Sequence, residues 1–481
     1  MNSIVSLDLG TSALKAIRFG DDGAILSSRS RPVSTHGSGG RREQDPDEWW
    51  AAATELLGET LNEGPTGAIA LSGTMQNLIP TGADGSAAGP AILYSDARVT
   101  AERRRELERR LPADLPARIG NRPDNAQPVF KLMEAAGPRP DHWHFGAKDV
   151  LIERLTGERV VDPTVATTTG LMDVRTRDWD DELLDAAGLP RAALPAIVPG
   201  DRTVGRTGGE WVERAGLPAG VPVVCGAGDA GASAWGAGAE GDGGTHLYVG
   251  TSGWVALALE RVPDDLPRDT YVLAMPTGGG ALQIAPVITA GAAIEWAAAT
   301  TGRGVAEAFE AVRERGVRPD GPLFLPYLHG ERSPFEDGAV RGAFLNLDAS
   351  HGSDDLFVAA LEGVGHALRH CAEALGAGES GVTAIGGAFR ADAMVRIAAT
   401  AFGAPIRVAP HPAEATAFGA ARLARRALGS NDFPVRPAHA TQHGDDDRRE
   451  SEGASRRYGA YRHASGQLRE LAGLLGGDRS P

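Results

Sequence analysis

The chain has 481 residues and a formal net charge of −15 at pH 7; that length exceeds what one hydrophobic core organises, so two domains with a cleft between them are expected. The acidic balance argues against nucleic acid or an anionic membrane as partner, since both call for basic patches. Two cysteines, Cys225 and Cys371, exclude a disulfide framework or a cysteine-ligated zinc site, and with no run of 18 apolar residues and no leader-like start the expected compartment is the cytosol.

In chain order, residues 4–9, 14–19 and 24–29, separated by turn residues, read as an antiparallel meander. Asp45-Pro46 ahead of residues 47–57 predicts an N-capped helix with an acidic first turn, and residues 68–71 a short buried strand. Residues 98–110 read as a charged, solvated helix. Residues 221–225 form a buried strand that leads into a glycine-rich loop and helix over 226–235. A strand at 245–249, a turn at 250–253 and a strand at 254–259 then repeat the pattern of the N-terminus. Gly10-Thr11-Ser12 recurs as Gly250-Thr251-Ser252, half a chain later and in the same hairpin setting, which points to two similar halves. The expected layout is a first domain over 1–240, a second over 241–429, and a polar linker with a C-terminal helix over 430–481. In that tail residues 430–450 read as polar and mobile. Tyr458, Tyr461, Leu468, Leu471, Leu474 and Leu475 form an apolar stripe expected to dock on the body. His366 and His370, at i and i+4, read as a solvated helix face, because no His-Glu-x-x-His pattern accompanies them.

Turns of Gly, Thr and Ser between strands offer backbone N–H groups and small hydroxyls to an oxyanion, and two of them could grip one polyphosphate from opposite sides. Asp8 precedes the first turn and can hold Mg²⁺, usually through its waters; Lys15 follows it. A Walker loop is excluded, since none of Lys15, Lys131 and Lys148 follows a glycine. Gly226-Ala-Gly228-Asp-Ala-Gly231 matches the dinucleotide fingerprint, but no ribose-binding acid ends the next strand. Asp229, in a glycine-rich turn after a buried strand, sits where a general base for phosphoryl transfer to an alcohol belongs; its structural alternative is a helix N-cap.

These residues resemble the FGGY carbohydrate kinases over about residues 3–426. Asp8-x-Gly10-Thr11-Ser12-x-x-Lys15 is similar to that family's first phosphate motif, Gly226-x-Gly-Asp229 to its catalytic aspartate loop, and Val249-Gly-Thr-Ser-Gly253 to its second phosphate hairpin. Pro326-Tyr-Leu-x-Gly330-Glu-Arg-x-Pro334 with Arg341-Gly-Ala-Phe344 is similar to its C-terminal signature, and Ile385-Gly-Gly-Ala388 to its adenosine-binding segment. The resemblance implies an α/β fold of two actin-like (ribonuclease H-like) ATPase domains with a ligand cleft between them. It further implies ATP and Mg²⁺ as cofactors, Asp229 as catalytic base and Asp8 as the metal-side carboxylate. Gly10, Thr11, Ser12, Lys15, Gly250, Thr251 and Ser252 would bind phosphate, and Gly386, Gly387 and Ala388 adenosine. Met75, Gln76, Asp96 and Asp229 would meet the substrate, a small sugar or polyol. The second hairpin leans toward xylulokinase-like members and so toward D-xylulose. Gln76 stands where those members carry histidine, and can hydrogen-bond a hydroxyl but cannot carry charge. Residues 161–171 partly share a gluconate-kinase pattern, which makes a sugar acid the alternative acceptor. A catalytically silent actin-like nucleotide sensor is the alternative of a different class. A homodimer is compatible with the sequence and not dictated by it.

Overall fold

The computed structural model describes residues 3–135, 140–265, 269–378, 381–433, 439–440 and 447–475. A first sheet holds β1 (Ser3–Leu9), β2 (Ala13–Phe19), β3 (Ile25–Pro32), β4 (Thr66–Gly73), β5 (Thr203–Arg206) and β6 (Pro222–Gly228), in the order β5-β6-β4-β1-β2-β3. The hairpins β1–β2 and β2–β3 are antiparallel, whereas β1, β4 and β6 run parallel. Central parallel strands are covered on both faces, which explains the near-continuous apolar run of β1. On one face α1 (Pro46–Leu61) and α2 (Ala147–Thr156) bury Trp49, Leu56, Leu57, Val150 and Leu151 against Val5, Leu7 and Ile69. Asp45 caps α1, its side chain accepting from the Asp47 amide.

The second sheet repeats this plan. It comprises β7 (Thr245–Val249), β8 (Gly253–Leu259), β9 (Tyr271–Ala274), β10 (Ala281–Val287), β11 (Thr383–Ile385), β12 (Arg407–Val408) and β13 (His439–Ala440), ordered β9-β10-β8-β7-β11-β12-β13. Its first strand again pairs antiparallel with the next and parallel with a strand that arrives after a long excursion. The repeated tripeptide therefore marks equivalent hairpins in two sheets of like topology.

Six further helices enter the argument: α3 (Pro163–Thr167), α4 (Asp229–Ala237), α5 (Ser353–Ala374), α6 (Asp392–Phe402), α7 (Ala415–Ala427) and α8 (Asp447–Leu475). Helix α7, late in the chain, covers the other face of the first sheet: Ala417, Phe418 and Ala421 pack on Ile4, Ile17, Ala68 and Ala70, and Ser6 Oγ donates to the Ala417 carbonyl at 2.7 Å. Helices α4 and α7 touch backbone to backbone. A Cβ on Gly236 would lie 1.9 Å from Ala415 O, and one on Gly419 1.9 Å from Ala232 O, so neither position has room for a side chain. The two halves are thus laced together by helices that follow one sheet and pack against the other.

Four sequence expectations change. Residues 226–228 continue strand β6, with Ala227 and Gly228 paired to Ser72 and Gly73; the loop reading followed glycine content, but sheet pairing overrides it. His366 is fully buried, against Tyr458 and Tyr461 of α8, because that helix covers the face of α5 that looked solvated. In the tail, Asp432 pairs with Arg422 at 2.6 Å and Phe433 is buried on Phe418, while helix α8 already begins at Asp447; the rest of the expected linker, residues 434–438 and 441–446, lies outside the described residues. Of the apolar stripe, Tyr458 and Tyr461 dock and Leu468 packs against the same core, whereas Leu471 and Leu474 are exposed. Cys225 and Cys371 are buried free thiols. No described helix is long and apolar enough to cross a membrane.

Candidate active site

The carboxyl ends of the parallel strands in the first sheet form one row. Asp8, the penultimate residue of β1, is level with Ser72 on β4, and Ser72 with Ala227 on β6. One step beyond that row Gly228 caps α4, and Asp229 is the helix's first residue. The N-cap role considered for Asp229 thus falls to Gly228, and the carboxylate accepts from the Ala230 amide at 2.9 Å. Glycine at 226 is required, since its φ is +66° and a Cβ would collide with Leu71 O at 1.7 Å. Met75 Sδ lies 2.2 Å from where a Gly228 Cβ would be, so this side chain rests on the peptide that precedes Asp229.

Two half-buried carboxylates thus share the cleft. Burial pushes Asp229 up to about 7, and the charge of Asp8 adds to the effect. Asp8 rises to about 6, again by burial, with Lys15 beside it in the hairpin register opposing the shift. The first Gly-Thr-Ser turn closes through Gly10 N–H to Ala13 O at 3.0 Å. Thr11 is held by Gln44, whose Nε2 donates to its carbonyl at 2.7 Å, and by a hydroxyl contact with Tyr94 at 3.2 Å.

The second sheet presents a corresponding turn, closed one residue earlier. Gly250 N–H donates to Ser252 O at 2.9 Å, and Gly291 N–H in turn donates to Gly250 O at 2.9 Å. Thr251 and Ser252 are exposed. On the adjacent parallel strand, Gly386 has φ +103° and a Cβ there would lie 2.3 Å from Val249 O, whereas a Cβ on Gly387 meets nothing within 4 Å. The first half has the matching close approach, Gly73 over Leu9 O at 2.9 Å. Ala388 is half-buried after this bend.

Gln76 is half-buried with φ +62°, a left-handed conformation uncommon for a side-chain-bearing residue. Asp96 is buried, and both its oxygens are engaged: one accepts from Arg98 N–H and Nε, the other from Arg42 N–H at 2.7 Å. Burial raises its pKa, but the Arg98 hydrogen bonds and the Arg42 amide hold it below the usual range. Asp96 therefore braces the wall that carries Arg98 rather than presenting a free carboxylate.

Sequence reasoning missed Tyr248. It occupies the place in the second hairpin that Asp8 has in the first, two residues before the turn glycine. Its ring stacks on Trp254 at 3.9 Å, and its hydroxyl lies 2.3 Å from where a Gly250 Cβ would be. Burial, with the charges of Asp229 and Asp8, pushes the phenol up to about 12, so it stays protonated. The internal repeat held the signal, had the residues flanking the tripeptides been aligned.

Two sheets of this topology, each with a Gly-Thr-Ser turn after its first strand, define a two-domain α/β protein of actin-like architecture. Residues 3–236 match the N-terminal domain of the FGGY family of carbohydrate kinases and residues 247–428 its C-terminal domain. The chain belongs to that family and is a carbohydrate kinase, a class that uses ATP as phosphate donor. Among curated relatives, a xylulose kinase of Escherichia coli is 31% identical over 439 residues, 88% of this chain and 89% of that protein. A gluconokinase of Bacillus subtilis is 27% identical over 455 residues, 89% and 88% of the two chains. A crystal structure of xylulose kinase from Rhodospirillum rubrum superposes with a TM-score of 0.84 at 26% identity, covering 98% of this chain and 99% of that one. The dinucleotide-enzyme and silent-sensor readings fall away.

Proposed function

We propose that the protein transfers the ATP γ-phosphoryl group to a hydroxyl of a neutral small sugar, with a ketopentose such as D-xylulose as first choice. The observation that carries this reading is that Asp229 and Asp8, whose charges interact, stand at the carboxyl ends of parallel strands of one sheet, Asp8 two residues before the first Gly-Thr-Ser turn. Asp229, raised to about 7, is a base matched to neutral pH. It accepts the proton of the acceptor hydroxyl as that oxygen bonds to Pγ and the bond from Pγ to the ADP oxygen breaks; the products are the sugar phosphate, ADP and a proton. The amides and hydroxyls of Thr11, Ser12, Thr251 and Ser252 hold the phosphates from the two sides, while the Gly10 and Gly250 amides close the turns themselves, and Lys15 adds positive charge. Gly386, Gly387 and Ala388 leave room for the flat adenine against backbone.

Among the described residues no three His, Cys, Asp or Glu side chains converge as a metal site, so a cation here would take most of its ligands from phosphate and water, as Mg²⁺ does. Asp8, a half-buried carboxylate facing the phosphate turn, fits as its protein-side partner. When bound, Mg²⁺ supplies charge neutralisation on the polyphosphate.

A neutral acceptor is favoured over a sugar acid because the cations near Gln76 and Asp96 are already engaged. Arg98 pairs with Asp96 and Glu43, and the Lys131 ammonium donates to Leu93 O at 2.6 Å. Gln76 contributes a neutral amide that can both donate to and accept from hydroxyls. ADP release coupled to a reporter, measured over ketopentoses, polyols and gluconate, tests this. D-Xylulose should give the highest kcat/KM, and a higher value for gluconate would overturn it.

A further inference from the structure

Beneath the first sheet lies a buried charge cluster without an evident role in binding. Lys148, on the first turn of α2, is fully buried, as are Asp149 and Asp162. Its Nζ lies 2.8 Å from Asp149 Oδ1, 3.1 Å from Asp162 Oδ2 and 3.8 Å from the Cys225 sulfur. Burial works against the charge, but Asp149 and Asp162 outweigh it and keep the ammonium protonated. Cys225, pushed up to about 12 by burial, remains a thiol. A cation on the first turn of a helix stands at the unfavourable end of the helix dipole, and a buried ion pair adds little net stability. The cluster therefore calls for a use other than stability.

That use is visible in the bonds of Asp162. Its Oδ1 caps α3, accepting from Thr164 N at 3.0 Å and Val165 N at 3.4 Å. Its Oδ2 accepts from the Gly228 amide at 3.1 Å while facing the Lys148 ammonium. Gly228 is the residue immediately before Asp229, and its peptide is the last fixed link between strand β6 and the helix that carries that carboxylate. Helix α3 is itself tied to β9 of the second sheet: Thr164 Oγ1 donates to Ala274 O at 2.8 Å, and Ala274 N–H to Thr167 Oγ1 at 3.0 Å.

We propose that Asp162, oriented by Lys148, is a positioning residue that fixes the Gly228 peptide and thereby aims Asp229 at the acceptor hydroxyl. This rests on the reading of Asp229 as the base. Lys148 holds Oδ2 in place, Oδ2 holds the Gly228 N–H, and the cap through Oδ1 ties the assembly to α3 and to the edge of the second sheet.

The test is Asp162→Ser. Serine still caps α3 but is too short to reach Gly228 and Lys148, and the remaining Lys148–Asp149 pair is electrically balanced, so folding should be retained. Since misplacing a reacting group by about 1 Å costs on the order of 100-fold, kcat should fall at least about tenfold, with KM for ATP and the affinity for ADP within about twofold of the parent. Asp180→Ser is the control. Asp180 likewise caps a helix, Asp181–Ala187, by accepting from Glu182 N and Leu183 N, but lies outside the active site; its variant should keep the parental kcat. A folded Asp162→Ser enzyme with kcat within twofold of the parent, or one whose loss is matched by Asp180→Ser, overturns the proposal. Should the serine variant not fold, Asp162→Asn is judged by the same constants, because one amide cannot serve as acceptor for both the α3 cap and Gly228. Asp229→Asn separates the two readings. If that variant stays active the base assignment itself is wrong, whereas an inactive Asp229→Asn beside an unimpaired Asp162→Ser removes only the positioning role.

Discussion

Replacing Asp229 with asparagine should abolish turnover and stabilise the fold. Loss of a positioned general base costs about 10²–10⁴ in kcat, while the amide keeps the volume and the acceptor for the Ala230 amide. The stability effect follows from linkage. An ordinary aspartate has a pKa near 3.8, and burial raises Asp229 to about 7. Below pH 3.8 the carboxyl is protonated in both folded and unfolded chains and contributes no difference. Between 3.8 and 7 the folded protein keeps a proton that the unfolded chain has lost, so stability drains away as pH rises, and above 7 the full penalty applies. That interval corresponds to an upper limit of about 4 kcal/mol. The carboxylate keeps some contact with the cleft, which roughly halves the figure, and the N-terminus of α4 returns up to about 1 kcal/mol to the anion. A net gain of roughly 1 kcal/mol for Asp229→Asn at pH 8 remains. Melting curves of parent and variant from pH 4 to pH 8 measure it: the variant should melt higher at pH 8 and the two curves should converge toward pH 4. A variant that is equally stable or less stable at pH 8 would refute the electrostatic reasoning, whatever its activity.

Asp8→Asn should raise the Mg²⁺ concentration for half-maximal velocity by about tenfold at saturating ATP; an unchanged Mg²⁺ titration removes Asp8 from the metal side. Gly419→Ala forces a methyl group to within 1.9 Å of Ala232 O and 2.7 Å of Gly236 N, backbone atoms that cannot swing aside. It should cost about 1–3 kcal/mol. Gly459→Ala, on an exposed turn of α8 with nothing within 4 Å of its Cβ, should instead stabilise by about 0.5–1 kcal/mol. Denaturant melts of the two variants give opposite signs if the α4–α7 contact is as close as described.

Much of the cleft was legible because its parts are local. A Gly-Thr-Ser hairpin signals its turn within a few residues, and Asp8, Asp229 and Gly250 are fixed by their distance from a strand end. What stayed hidden depends on partners far along the chain. Lys148, Asp162 and Gly228 meet only in the folded protein, and each alone reads as an ordinary charged or flexible residue. Helix α5 looks half-solvated until α8, nearly a hundred residues later, covers His366. Glycine content made residues 226–228 read as loop, although Ala227 and Gly228 pair with Ser72 and Gly73 beyond the irregularity at Gly226 and so extend the strand. Asp96 was expected at the substrate through the family resemblance alone. Its commitment to Arg98 and the Arg42 amide is a question of side-chain direction that spacing does not encode.

The two halves share a plan but not a charge. Each first strand ends one residue before a turn glycine, and each neighbouring parallel strand brings a glycine over the carbonyl of that last residue, Gly73 over Leu9 and Gly386 over Val249. At the place before that carbonyl the first half has Asp8 and the second has Tyr248. The first half then adds Asp229 just past the end of its third parallel strand, so Asp8 and Asp229, both raised by burial, belong to the same sheet. A third carboxylate at 248 would raise Asp229 and Asp8 further by like-charge repulsion. A phenol stacked on Trp254 fills that space while remaining neutral. The two hairpins therefore repeat one plan, and the exchange of carboxylate for phenol keeps a further negative charge away from Asp229 and Asp8.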